Sequence, residues 1–73
     1  MKLYIKHKKD FVPVEDYGNV HIGAIIKVYS DKTDTFINKV PYFVSGISDN
    51  DITLDTGVKK LNFNIRSEAL SLK

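Results

Sequence analysis

Two short clusters of turn-forming residues, Ser48-Asp49-Asn50-Asp51 and Asp55-Thr56-Gly57, cut the stretch from Tyr42 to Ile65 into three apolar runs. Runs this short, broken by Asp, Asn, Ser and Gly, have the grammar of consecutive antiparallel hairpins. Leu61, Phe63 and Ile65 alternate with Asn62, Asn64 and Arg66, and Ile52 and Leu54 alternate with Thr53 and Asp55. A period of two puts one face in a core and the other in water. The rest of the chain is expected to cover and close this meander.

Lys2–Lys8 reads as a first strand at a sheet edge, with Leu3 and Ile5 on one face and Tyr4 and Lys6 on the other. Edge lysines discourage pairing with other chains. Phe11–Asn19 contains Pro13 and the turn pair Gly18-Asn19, and is expected to be a loop clinging to the body. Val20–Ser30 reads as a strand with Ile22, Ala24, Ile26 and Val28 on one face. Pro41 predicts a break before Tyr42, and Gly46 a bend or bulge in the strand that follows. Ser67–Lys73 reads as a last short strand. No segment sustains helical periodicity over about 11 residues.

These signals predict one all-β domain over residues 1–73, a five- to six-stranded antiparallel barrel of the SH3-like kind. Closure would remove exposed edges in so short a chain. The expected core is Ile5, Ile22, Ile26, Val28, Val44, Ile52, Leu54, Leu61, Phe63 and Ile65. A chain of 73 residues buries only about 60% of the surface its unfolded form exposes. It has no cysteine, so no disulfide or thiolate metal site reinforces it. That fits a reducing compartment, and a cytoplasmic location is expected. Lysines interrupt any N-terminal apolar run, and no stretch approaches the roughly 20 apolar residues of a membrane helix.

Asp55-Thr56-Gly57 after Ile52-Thr53-Leu54 resembles the active-site turn of aspartic proteases, which a homodimer would complete with a second aspartate. The chain departs from that family: Val58 and two lysines follow where a small residue belongs, and little chain remains for the rest of the lobe. A tight hairpin turn with Gly57 at positive φ is the favoured reading. Asp49, Asn50, Asp51 and Asp55 suggest calcium, but Leu54 and Lys60 stand where an EF-hand loop needs Gly and Glu. His7 and His21 lack ligand-spaced carboxylates. No catalytic constellation, metal site or cofactor is expected, and the chain is not read as an enzyme.

Two signals point to binding. Tyr17, Tyr29, Tyr42 and Phe43 exceed what one small core needs, and surface aromatics favour protein contacts. The favoured function is therefore a non-enzymatic module that docks on another protein, with self-association as one form of it. A short Lys-, Asn- and Ile-rich chain resembles in style many small phage and mobile-element proteins, which suggests an accessory or inhibitory factor. The alternative is a nucleic-acid-binding barrel using Lys6, Lys8, Lys9, Lys59 and Lys60 beside aromatic rings. The net charge of +2, from eleven Lys and Arg against nine Asp and Glu, is low for that. A third reading is a structural subunit of a larger assembly.

Overall fold

β3, Ile25–Ser30, is the strand on which the sheet turns. In the computed structural model, which describes residues 1–73, it is flanked by β1 (Lys2–His7) on one side and on the other by β4 (Thr35–Phe36) and β5 (Tyr42–Ile47). The remaining strands are β2 (Asp10–Pro13), β6 (Asp51–Asp55), β7 (Lys60–Asn64) and β8 (Ala69–Leu72). All pairs are antiparallel, in the order β2-β1-β3-β5-β6-β7-β8, with β4 beside the far end of β3. One turn of 3-10 helix, Tyr17–Asn19, is the only helix, and no helix is long and apolar enough to cross a membrane.

The sheet is all-β and antiparallel as expected, with eight strands instead of five or six, and it is not closed into a barrel. Seven strands laid flat at about 4.8 Å spacing would span roughly 30 Å in a slab roughly 10 Å thick. The molecule instead measures 27 × 26 × 25 Å, so the sheet is strongly curled. A bulge between Val44 and Gly46 contributes to the bend, at the glycine expected to supply one. β2 and β8 end the sheet without pairing with each other. Contacts from Met1 and Tyr17 bridge the seam instead. The Tyr17 hydroxyl donates to Glu68 Oε2 at 2.9 Å, the Met1 ammonium donates to the Glu68 carbonyl at 3.1 Å, and the Tyr17 ring packs on Phe63 at 5.7 Å.

The concave face buries Leu3, Val14, Val20, Ala24, Ile26, Val28, Val44, Ile52, Leu54, Leu61 and Phe63. Ile5 and Ile65 pack against this cluster, half-buried. Ile22 departs from expectation and is 61% exposed. The reason lies next to it: Gly23 takes φ +89°, a left-handed conformation that interrupts the alternation, and the Ala24 N–H closes a turn on the His21 carbonyl at 3.0 Å. The strand therefore begins at Ile25 rather than Val20.

Two further expectations are corrected in the N-terminal third. Phe11–Pro13, expected as loop, belongs to β2, which is joined to β1 by the tight turn Lys8-Lys9 with Lys8 at φ 58°. β1 is therefore an interior strand and β2 is the edge. The Asp55-Thr56-Gly57 triplet is a hairpin turn: Gly57 has φ +95°, Asp55 Oδ1 accepts its N–H at 2.7 Å, and Thr56 Oγ1 accepts the Lys59 N–H at 3.1 Å. Asp51 Oδ1 accepts from the side-chain amides of Asn62 and Asn64 at 2.9 and 3.1 Å.

Candidate functional site

The convex face of β1–β4 carries a cluster of aromatic rings and lysines that the core does not use. Residues opposite one another in an antiparallel pair point to the same side. The register places Tyr4 between Pro13 and Lys27, Lys6 opposite Phe11, and Tyr29 between Lys2 and Phe36. Leu3, Ile26 and Val28 alternate with these residues and point into the core, so this set points outward.

The rings interlock. Tyr4 and Phe36 meet edge to face at 5.0 Å between centroids, Tyr29 and Phe36 do the same at 5.6 Å, and Tyr4 and Tyr29 lie 5.9 Å apart, tilted. Edge-to-face contacts of this kind contribute about 0.5–1.5 kcal/mol each beyond burial. The Lys27 ammonium sits 4.8 Å from the Phe11 ring and 5.5 Å from Phe36, tying rings from β2 and β4 across β1 and β3. Each such cation–π contact is worth about 0.5–1 kcal/mol near solvent. The Tyr29 hydroxyl donates to Asp34, and Lys2 lies 3.8 Å from Glu15. Beside the cluster, Ile25 and Phe43 pair across β3 and β5 at 37% and 41% exposure.

Of the four aromatic residues expected to make contacts, Tyr29 and Phe43 lie on this convex side. Tyr42 is on the other face, half-buried against the core. Tyr17 is half-buried against Phe63, and its hydroxyl serves the seam. Burial, the hydrogen bond to Glu68 and the charge of that carboxylate push its pKa up to about 12. Tyr4, Phe11, Lys27 and Phe36 complete the patch, and no local sequence pattern marks them as one group. They come from four strands, and only cross-strand register joins them.

The lysines fall into two groups. Lys6 lies on the convex face of β1, and Lys8 and Lys9 form the β1–β2 turn. Lys59 and Lys60 lie at the β6–β7 turn and the start of β7, with β3, β5 and β6 between the groups in sheet order. An open cleft of about 250 Å³ lies inside the β1–β2 edge, lined by Ile5, Val12, Val14 and Val20 with Glu15 and Asp16. It falls below the ~300–1,000 Å³ of drug-sized ligand sites. Comparison of the chain with known protein families, curated proteins and solved structures finds no match.

Proposed function

We propose that this chain is a binding module that docks on another protein through the convex face of β1–β5, with Tyr4, Tyr29, Phe36, Ile25 and Phe43 as the contact surface. The observation that supports this reading is the interlocked, half-exposed aromatic cluster with Lys27 laid over two of its rings. Rigid aromatic anchors beside long cationic side chains suit the centre of a protein interface. An accessory or inhibitory factor of the phage type accords with it. The curled, bulge-bent meander is close in design to an SH3-like barrel left unsealed between its end strands, and that likeness is part of the proposal.

A nucleic-acid reading has one observation in its favour: Lys6 and Lys27 lie among aromatic rings. Base stacking needs free ring faces. Here Phe36 is engaged by Tyr4 and Tyr29 edge to face, which favours protein over bases. The test is capture of a partner by the wild-type chain and by the double variant Tyr29→Ala, Phe36→Ala, with and without nuclease. Capture that survives nuclease and is lost in a variant with an unchanged circular dichroism spectrum supports docking on this face. Capture unaffected by the substitutions, or abolished by nuclease, refutes it.

A further inference from the structure

The two end strands of the sheet meet solvent differently. Alternate residues of an edge strand turn their N–H and C=O groups outward. On β2 the Val14 N–H bonds the Leu3 carbonyl at 2.9 Å, which makes Ile5–Val12 and His7–Asp10 the bonded pairs and turns Phe11 and Pro13 outward. Pro13 has no N–H, so this edge lacks a donor where a new strand would need one.

On β8 the Lys73 N–H bonds the Lys60 carbonyl at 3.1 Å, so Ser71 and Ala69 face β7 and Leu70 and Leu72 turn their backbone groups outward. Both keep an N–H. Leu72 is 73% exposed and Leu70 half-buried, on the core side of the sheet. This edge has neither a proline nor an inward charge to protect it. Its outward-turned segment, Leu70-Ser71-Leu72, reads the same in both directions.

We propose that β8 pairs antiparallel with β8 of a second copy of this chain, about a two-fold axis at Ser71. Leu70 then lies opposite Leu72 of the second copy, and each such pair exchanges N–H···O bonds in both directions. The exposed Leu72 packs on Leu70 of the other copy and extends the core across the axis. A slip of one residue sets Leu against Ser and misaligns every donor. The missing Pro13 donor disfavours the head-to-tail alternative, β8 on β2, which would grow open filaments instead of a closed dimer. A contact this narrow falls below the ~1,000 Å² of a stable interface, so the pairing is weak and reversible.

The test is sedimentation equilibrium from ~10 µM to ~1 mM chain, the span over which a weak interface titrates. The expected mass rises from 8.3 kDa toward twice that value. Leu72→Pro removes an outward donor while leaving the bonds to β7, and abolishes the rise. Should that variant unfold, amide exchange of the wild-type chain carries the test. The Leu70 and Leu72 amides gain protection as concentration rises, and the Phe11 amide does not. A mass that stays at 8.3 kDa at ~1 mM overturns the proposal, including the case in which the edge takes only a foreign strand. A dimer that persists in folded Leu72→Pro, or that leaves both leucine amides unprotected, overturns it too. Docking on the Tyr29–Phe36 face stands or falls separately, since that patch contains no β8 residue.

Discussion

Asn38 takes the place of a strand beside Val28: its Oδ1 accepts the Val28 N–H at 2.9 Å. β3 changes partner there, pairing with β5 at Ile25 and Ile26 and with β4 at Tyr29 and Ser30. Val28 falls at the change-over: its carbonyl accepts the Ile37 N–H at 2.9 Å, and its own N–H is left to Asn38. The Asn38 amide also donates to the carbonyls of Ile26 and Val40 at 3.3 and 3.2 Å, and Asn38 is buried. A buried backbone donor left alone costs about 1–3 kcal/mol.

Asn38→Ala should therefore lower the unfolding free energy by about 2–3 kcal/mol in urea denaturation. Asn38→Asp keeps the acceptor for Val28 but loses both donors, so it should not restore stability. A loss under ~0.5 kcal/mol in Asn38→Ala would mean that this amide is not what supports β3.

Tyr17 gives a pH dependence with a definite sign. Its folded pKa, about 12, lies above the ordinary 10.0, so the fold favours the neutral phenol. That contribution is fully present below pH 10.0 and is lost as pH rises through about 12. Ultraviolet titration of the folded protein should show the Tyr17 phenol ionising near pH 12, and Tyr17→Phe should remove that step and lessen the alkaline loss of stability.

Gly46 sits at the bulge because its neighbour leaves little room. A Cβ there would lie 3.2 Å from Thr53 Oγ1, which also accepts from the Lys73 ammonium at 2.8 Å. Gly46→Ala should destabilise the fold by about 1 kcal/mol or more. The penalty should shrink when Thr53→Ala is already in place, since the clashing oxygen is gone. Additive costs in that double-mutant cycle would point to backbone conformation instead.

Phe36→Ala removes two edge-to-face contacts and one cation–π contact from the convex patch. Phe36 is outside the core, so the expected stability loss is confined to those three contacts, about 1.5–4 kcal/mol by thermal unfolding. The expected loss of partner affinity is about tenfold or more by calorimetry or surface capture. A large stability loss with unchanged affinity would make the cluster a packing feature only.

The meander from Tyr42 to Ile65 is legible in the chain because its alternation is strict and its turns carry Asp, Asn and Gly where the backbone needs them. β2 is not, because Pro13 looks like a strand breaker; at an edge its missing N–H points to solvent and no ladder bond is lost. Ile22 misleads because periodicity cannot reveal that Gly23 adopts positive φ. Leu3 and Val14 are core residues joined by a single backbone bond across β1 and the chain beyond β2. The aromatic patch is the least legible part. Tyr4 and Lys6 are readable as outward-facing on β1, but Phe11, Lys27 and Phe36 join them only through strand order and register, which local pattern does not encode.

The Tyr17–Glu68 hydrogen bond spans 51 positions of chain. Loops that long close slowly, and their bonds form only after nearer contacts have reduced the search. The C-terminal hairpins, each closed by a few residues, can zip up first, while the seam waits for both halves of the molecule to arrive. Ionisation of that one phenol is thus a clock for the final stage of refolding: its alkaline shift should emerge last, after the signal from the β5–β8 ladder is complete.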